Sequence, residues 1–263
     1  MGLLSGRRAL VCGSTRGIGR ACAFEFARLG AGVTLLARSE QALRKVRDEL
    51  TAATAESARH DYLCADFGEP EAVRAIVSHH IDRTGPIEIL LNNTGGPPAG
   101  PIVDAEPTSF LAAFSAHLLC NQALARTLIP GMRQAGYGRI INIISTSVKQ
   151  PIKGLGVSNT VRGAVAGWAK TLAGELASSG ITVNNVLPGA TATERLRSLI
   201  QAKARASAIT EEEMERQMKA EIPMGRFARP EEIAAAAGFL AAPAAGYITG
   251  VSLPVDGGRI ACL

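Results

Sequence analysis

The chain has 263 residues, of which 47% are hydrophobic and only 4% aromatic, which suits one aliphatic α/β core. The net charge of +5 comes from basic residues interspersed with acidic ones, a pattern that indicates a solvated surface and not a nucleic-acid patch. No apolar run is long enough to cross a bilayer, and the stretch before the first strand is too short for a signal peptide. We expect a soluble cytoplasmic protein without nucleic-acid or membrane partners.

The cysteines are odd in number and form no C-x-x-C pair, which favours free thiols in a reducing compartment and predicts no metal site. They are Cys12, Cys22, Cys64, Cys120 and Cys262.

Short β-rich runs alternate with longer helical segments along the chain, as in a parallel sheet covered on both faces. The predicted strands are Ala9–Cys12, Gly32–Ala37, Tyr62–Ala65, Ile87–Asn92, Arg139–Ile144, Thr182–Leu187 and Ser252–Val255. The predicted helices are Ile18–Leu29, Glu40–Thr54, Glu69–Thr84, Ser109–Gln134, Gly156–Ser178 and Pro230–Leu240. With right-handed crossovers, this order predicts a single α/β domain over residues 1–263, a Rossmann-type doubly wound parallel sheet of about seven strands.

Two segments interrupt the alternation of strands and helices. Gly95–Pro101 is a Gly/Pro cluster just after a strand, which predicts a rigid loop at the carboxyl edge of the sheet. Glu194–Glu221 is polar and charged. It is either a mobile surface excursion or part of a substrate lid over residues 190–224. Because ligands bind at the carboxyl ends of strands in this fold, we favour the lid.

A glycine-rich loop follows the first strand directly and opens the first helix. Its residues are Gly13, Ser14, Thr15, Arg16, Gly17, Ile18 and Gly19. Glycines allow a sharp turn and a close approach to pyrophosphate, while the helix N-terminus offers unpaired N–H groups to that anion. A tight turn without a ligand is the alternative, but the strand before it and the helix after it favour a dinucleotide site.

The tip of the second strand predicts which dinucleotide binds. Sites for NAD usually carry an acidic residue there, about 20 residues after the glycines, but this chain has Arg38 and no acid. Arg38 and Arg16 would together suit a 2′-phosphate, since guanidinium groups match phosphate oxygens in bidentate fashion. They could also be ordinary surface arginines. We expect NADP(H) and, less favoured, NAD(H).

These motifs resemble the short-chain dehydrogenase/reductase family, in particular its 3-oxoacyl-[acyl-carrier-protein] reductase branch, over nearly the whole chain. Further matching stretches are Asp66 with Phe67, Asn92-Asn93-Thr94-Gly95, Pro188-Gly189 followed by Thr191 and Thr193, and Asp256-Gly257-Gly258. The resemblance implies cofactor contacts at Asp66, Phe67, Asn93, Gly95, Pro188, Gly189, Thr191 and Thr193. It also implies a homotetramer or homodimer and a small carbonyl or acyl-thioester substrate.

The catalytic positions depart from the family pattern. Ser145 matches the family serine, but Ser158 stands where the family has tyrosine and Arg162 where it has lysine. His117 occupies the position of the family asparagine. The resemblance therefore places the catalytic group at Ser145, Ser158, Arg162 and His117, with Arg162 also contacting the nicotinamide ribose.

These replacements change the acid–base chemistry. A serine hydroxyl is shorter and far less acidic than a tyrosine, so Ser158 can donate a hydrogen bond but is a poor proton donor. Arg162 keeps the positive charge without losing a proton. His117 either titrates near neutrality and relays a proton through water, or replaces asparagine as a backbone-bonded structural residue. Lys149 and Lys153 are loop lysines that could supply a missing cation, although solvated surface lysines are commoner.

The sequence leaves three functions open. The first is an NADP(H)-dependent oxidoreductase acting on a carbonyl/hydroxyl substrate, such as a 3-oxoacyl thioester, with an atypical proton-donor site. The second is a catalytically impaired NADP(H)-binding sensor or partner protein. The third is non-redox chemistry on the same scaffold, for which no residue argues specifically. We favour the first.

Overall fold

The computed structural model describes residues 2–54 and 59–262. Seven parallel strands form one sheet in the order β3-β2-β1-β4-β5-β6-β7. The strands are β1 Arg8–Cys12, β2 Gly32–Ala37, β3 Asp61–Cys64, β4 Ile89–Asn92, β5 Gly138–Ile143, β6 Ile181–Pro188 and β7 Ser252–Val255. The strand order reverses between β1 and β4, which creates the crevice where such sheets bind ligands. The predicted Rossmann-type fold is confirmed.

The helices that cover this sheet follow the predicted alternation. They are α1 Gly17–Arg28, α2 Glu40–Ala53, α3 Pro70–Thr84, α4 Pro107–Phe114, α5 Cys120–Gln134, α6 Gly156–Leu176, α7 Glu194–Ser207, α8 Glu211–Ala220 and α9 Pro230–Ala241. Two apolar layers result, one under α1, α2 and α9 and the other under α3, α5 and α6. Within the described residues, no helix is both long and apolar enough to cross a membrane.

The strand boundaries agree with the sequence to within two residues. The largest difference is at β4, which begins at Ile89 and not at Ile87. Ile87 is buried, but pairing of β4 with β1 starts only at Ala9 opposite Ile89. An apolar run therefore marks burial here better than it marks the start of the strand ladder.

The single helix predicted over Ser109–Gln134 is wrong. Its polypeptide forms α4, then a π-helical turn at Ser115–Leu119, then α5. The backbone N–H of Cys120 bonds to the carbonyl of Ser115, the wider spacing that defines a π turn. A hydrophobic pattern of period 3.6 does not reveal this wider turn. His117 lies within the turn.

The polar segment after β6 folds into the helical pair α7 and α8 and is not an irregular excursion. Thr193 and Thr210 cap the two helices by accepting hydrogen bonds from the Leu196 and Glu213 N–H groups. The pair has a small apolar core of its own, made by Leu196, Ile200, Ala204 and Met214. The chain thus positions a preformed unit beside the carboxyl edge of the sheet.

Candidate active site and cofactor cleft

The glycine loop between β1 and α1 forms a backbone cradle that side chains would fill. Gly13 and Gly17 have φ of +59° and +54°, values that L residues rarely adopt. A Cβ on Gly19 would lie 2.2 Å from the Gly13 carbonyl oxygen, so α1 approaches the loop as closely as a glycine permits. Arg16, the N-cap residue, makes no side-chain cap, which leaves the first N–H groups of α1 available to an anion.

Hydrogen bonds to the backbone of β2 and from Asn93, which follows β4, hold this loop in place. Ser14 is fully buried, and its hydroxyl accepts a 3.1 Å hydrogen bond from the Leu36 N–H. Asn93 Nδ2 donates to the carbonyl oxygens of Cys12 and Gly13 at 3.2 and 3.4 Å. The Ser14 side chain therefore fixes the loop against β2. The cradle's shape and free N–H groups fit a dinucleotide pyrophosphate.

The two arginines proposed for the 2′-phosphate lie on exposed surface, each beside a different carboxylate. Arg38 Nη1 is 3.7 Å from Asp66 Oδ2, whereas Arg16 Nη1 is 2.6 Å from Glu194 Oε2 at the start of α7. Asp66 also accepts a hydrogen bond from Gly68 N–H through Oδ1. Such exposed pairs exchange easily, so both guanidiniums can reach a phosphate. Their convergence on one phosphate stays a prediction.

Ser145 follows the end of β5, and Ser158 lies in the first turn of α6. The Ser145 hydroxyl accepts a 3.1 Å hydrogen bond from Ser147 N–H and caps a 3₁₀ turn, Thr146–Val148. Ser158 is partly exposed. Its side chain has no tyrosine-like acidity, so the structure offers a hydrogen-bond donor at this position but no strong acid.

Arg162 is buried one helical turn beyond Ser158. Its Nη1 donates a 2.8 Å hydrogen bond to the Ile143 carbonyl oxygen at the end of β5. Burial, followed by the charge of Arg195, lowers the pKa of Arg162 to about 10, so the guanidinium is still protonated at neutral pH. The cation predicted at the family lysine position is therefore present and fixed.

His117 is only 3% exposed and lies in the π turn, next to Arg162. Burial, and then the Arg162 charge, lowers the pKa of His117 to about 3, although a hydrogen bond with the Gly95 backbone opposes this shift. The expectation that His117 titrates near neutrality is wrong, because sequence alone does not show how deeply it is buried. The bond to Gly95 supports its structural role.

A small cavity of about 10 Å³ lies beneath the catalytic positions, lined by residues that include Asn92, His117, Asn121 and Arg162. Such a space holds about one water molecule. Asn92 Oδ1 is buried without a hydrogen-bond partner among the described residues. A polar cavity with an unsatisfied acceptor is a reasonable place for an ordered water.

Sequence reasoning missed a ladder of asparagines that crosses the sheet below this cavity. Asn92 Nδ2 donates to Asn142 Oδ1 at 2.8 Å, and Asn142 Nδ2 donates to Asn185 Oδ1 at 2.9 Å. Asn185 Nδ2 then donates to the Ser252 hydroxyl at 3.1 Å. These residues occupy matching positions on β4, β5, β6 and β7. Polar residues at similar places in apolar strands were the signal that could have revealed it.

The helical pair reaches the cleft through its first residues. Thr191 is buried, and Thr193 Oγ1 donates to the Thr191 carbonyl oxygen at 3.2 Å. Thr193 Cγ2 is 3.2 Å from the position that a Cβ would take on Gly17, so the start of α7 touches the glycine loop. Gly189 N–H donates to the Val255 carbonyl oxygen at 3.0 Å and fixes the segment after β6.

Arg195, which sequence reasoning did not select, crosses from α7 to the loop after β4. Its Nη2 donates a 2.7 Å hydrogen bond to the Pro97 carbonyl oxygen. By contrast, Lys153 is exposed and Lys149 partly exposed, and neither ammonium group forms a hydrogen bond or ion pair within the described residues. Neither lysine is held at the site.

Comparison with known proteins finds relatives that match nearly the whole chain. A family profile described as enoyl-(acyl carrier protein) reductase matches residues 13–259. The 3-oxoacyl-[acyl-carrier-protein] reductase FabG of Pseudomonas aeruginosa is 35% identical over 257 residues, covering 97% of this chain and 98% of that protein. The chain belongs to the short-chain dehydrogenase/reductase family.

Solved structures of this family superpose closely on the protein. The L-sorbose reductase of Gluconobacter frateurii, complexed with NADPH and L-sorbose, has a TM-score of 0.93 and 31% identity, with 100% of both chains covered. YwfH, an NADPH-dependent reductase involved in bacilysin biosynthesis, has a TM-score of 0.92 and 28% identity, covering 98% of this chain and 100% of that one. As a member of the short-chain dehydrogenase/reductase family, the protein is classed as an oxidoreductase.

Proposed function

We propose that the protein is an NADP(H)-dependent oxidoreductase that interconverts a carbonyl and a hydroxyl group, with Ser158 and Arg162 replacing the family tyrosine and lysine. The observation that carries this proposal is an intact glycine cradle at the carboxyl edge of the sheet, with a buried cation held at the end of β5 on the same edge. Gly13 and Gly19 leave room for pyrophosphate, and Arg162 is held by the Ile143 carbonyl. NADPH-dependent relatives with the same fold support the cofactor.

The residues that would hold NADP(H) surround the crevice between β1 and β4. The N–H groups at the start of α1 would bind the pyrophosphate, Arg38 and Arg16 the 2′-phosphate, and Asp66 with Phe67 the adenine end. Asn93, Gly95, Pro188, Gly189, Thr191 and Thr193 would line the nicotinamide end, with Arg162 on the ribose hydroxyls. NADPH, when bound, supplies the hydride.

The catalytic residues of this chain would orient the substrate and stabilise charge. Ser145 and Ser158 donate hydrogen bonds to the carbonyl oxygen, and the Arg162 cation stabilises the negative charge that develops there. Because neither serine is a strong acid, water delivers the proton to that oxygen. His117 stays neutral and acts as a positioning residue through Gly95. General acid catalysis typically contributes 10²- to 10⁴-fold, so we expect slow turnover.

The helices over residues 190–224 are proposed as the substrate lid. Thr193 contacts the glycine loop and Arg195 reaches Pro97, so movement of α7 would open or close the cleft at two points. A 3-oxoacyl thioester is one candidate substrate, supported by the 3-oxoacyl-[acyl-carrier-protein] reductases among the relatives.

The oligomer is proposed to be a homotetramer or homodimer formed by the long helices and the C-terminal strand. Apolar side chains are exposed near the ends of these elements, including Leu119 at 54%, Phe239 at 48% and Val251 at 37%. Light scattering on the purified protein tests this. The five free cysteines support a reducing compartment such as the cytoplasm.

A second candidate function is an NADP(H)-binding sensor or partner protein without turnover, which the missing tyrosine and lysine favour. Titration calorimetry with NADPH and an assay of NADPH consumption over a panel of carbonyl compounds separate the two functions. Binding accompanied by product formation supports the oxidoreductase. Binding without consumption of NADPH over the whole panel supports the sensor.

A further inference from the structure

Two guanidinium groups from different helices approach Gly96, in the loop after β4. The position that a Cβ would take on Gly96 is 3.7 Å from Arg195 Nη2 and 4.0 Å from Arg162 Nη2. Arg162 comes from α6 and is buried, whereas Arg195 comes from α7 and is more exposed. Gly96, which has no side chain, leaves the space between the two cations open.

Neither guanidinium has a carboxylate partner. Within residues 2–54 and 59–262, no Asp or Glu oxygen lies within 4.0 Å of Arg162 or Arg195, although many other arginines of the protein form such pairs. Among the described residues, their side chains donate hydrogen bonds only to the carbonyl oxygens of Ile143 and Pro97. Two like charges at close range repel each other, so this arrangement costs free energy in the absence of an anion.

We propose that Arg195, together with Arg162, binds a carboxylate carried by the substrate close to its reacting carbonyl, so that the preferred substrates are oxo acids. This proposal rests on the proposed oxidoreductase function and specifies its substrate class. A guanidinium matches a carboxylate in bidentate geometry, and two of them around one small anion bind it more strongly than a neutral ester.

The location of the pair favours the substrate over the cofactor phosphates as its ligand. Arg162 lies one helical turn from Ser158, at the reacting end of the cleft, whereas the pyrophosphate cradle is built by Gly13–Gly19 at the start of α1. The acidic neighbour on α7, Glu194, has no carboxylate oxygen within 4.0 Å of Arg195 and points to Arg16 instead. Arg195 is also the first basic residue of the proposed lid, so an acidic substrate would draw α7 over itself.

Placing a carboxylate on Gly96 tests the proposal directly. Gly96 does not have a positive φ, so Gly96→Asp fits the backbone and would occupy the anion position, with Gly96→Asn as a neutral control of the same shape. NADPH consumption is measured with short-chain 3-oxo acids and their methyl esters. For the wild type we expect a lower KM for the acids. Gly96→Asp should remove this preference, and Gly96→Asn should keep most of it.

A second pair of variants separates substrate binding from cofactor binding. Arg195→Gln should raise the KM of the acids roughly tenfold and that of the esters, which lose only the lid contact with Pro97, by much less, with the Kd of NADPH little changed. The control is Arg197→Gln, at an exposed position on α7. If Arg195→Gln weakens NADPH binding and leaves the acid preference intact, the pair serves the cofactor and the proposal is wrong.

Failure of the proposal is distinguishable from failure of the proposed function. Equal wild-type KM values for acids and esters would overturn the substrate class and leave the oxidoreductase standing. If no compound consumes NADPH, the oxidoreductase fails, and calorimetry with the same acids and esters in saturating NADP⁺ judges the anion site. Acid-selective binding lost in Gly96→Asp then supports the site, and equal or absent binding refutes it.

Discussion

Arg162 Nη1 donates a 2.8 Å hydrogen bond to the carbonyl oxygen of Ile143 and so joins α6 to the end of β5, two residues before Ser145. A buried cation without a carboxylate partner does not contribute much to stability, because its desolvation cost offsets its hydrogen bonds. The proposed role of this residue is therefore in the chemistry and not in folding.

Replacing Arg162 by Met should separate these two roles. We expect the free energy of unfolding to change by no more than about 1 kcal/mol, since a buried cation is exchanged for an apolar side chain of similar length. NADPH consumption should fall at least about tenfold, because the charge that stabilises the developing oxyanion is lost. Denaturant unfolding and steady-state assays check both values. Full activity in Arg162→Met would contradict the assigned role.

His117 should make the protein less stable in mild acid. Its pKa is about 3 in the folded protein but near 6.5 in an unfolded chain, so only the unfolded chain takes up a proton between these values. The free energy of unfolding should therefore fall as the pH decreases below about 6.5, by at most about 1.4 kcal/mol per pH unit for this histidine. Burial also lowers the pKa of His60 and His80, which adds in the same direction.

Denaturant unfolding between pH 7.5 and pH 5 measures this dependence. His117→Asn, which restores the family residue, should flatten the profile, and the same change at exposed His79 should leave it as in the wild type. An unchanged slope in His117→Asn would mean that this histidine takes up its proton at the same pH in the folded and unfolded protein, which would contradict the lowered pKa.

Arg38 should determine the preference for NADP(H). Its guanidinium lies on the surface at the tip of β2, and only NADP(H) carries a phosphate on the adenine ribose. Arg38→Gln should weaken NADPH binding about tenfold and leave NADH binding unchanged, as expected for losing one charge-assisted contact at an exposed site. Fluorescence titration with both cofactors checks this, with Arg74→Gln on α3 as the control. Equal losses for both cofactors would rule out a phosphate contact.

Gly19 should tolerate no side chain. A Cβ there would lie 2.2 Å from the Gly13 carbonyl oxygen, so α1 or the loop must move. We expect Gly19→Ala to destabilise the protein by roughly 2 kcal/mol or more and to abolish cofactor binding. Gly174→Ala in α6 is the matched control, because a Cβ there meets nothing within 4 Å. It should stabilise the protein by about 0.5–1 kcal/mol. Thermal unfolding with and without NADPH measures both effects.

The fold could be predicted from the sequence because each strand is marked by a local pattern, a short apolar run between turn residues. Gly32–Ala37 and Ser252–Val255 have the predicted boundaries, since short apolar runs between turn residues contain the information needed. The π turn at Ser115–Leu119 could not be predicted, because the apolar pattern continues through it. Only the tertiary contacts that bury His117 show where the helix widens.

The glycine loop of the candidate cofactor site could be predicted from the sequence. The residues packed around Arg162 and His117 could not. The glycine loop is contiguous in sequence, so its geometry follows from local rules. Arg195 and Gly96 come together only through folding, from segments 99 residues apart. The ladder likewise joins Asn142 and Asn185, which are 43 residues apart. The pKa of His117 depends on burial, a property of the packed structure.

We propose that Ser158 and Arg162 support slow NADPH-dependent reduction. The most direct measurement is NADPH consumption, with product identified, over a carbonyl panel that includes 3-oxoacyl thioesters and 3-oxo acids. The wild type is compared with the double variant Ser158→Tyr/Arg162→Lys. We predict slow but measurable wild-type turnover of at least one compound and faster turnover by the variant, which regains an acid. A silent wild type beside an active variant would contradict the account and leave a cofactor-binding protein that lacks its proton donor.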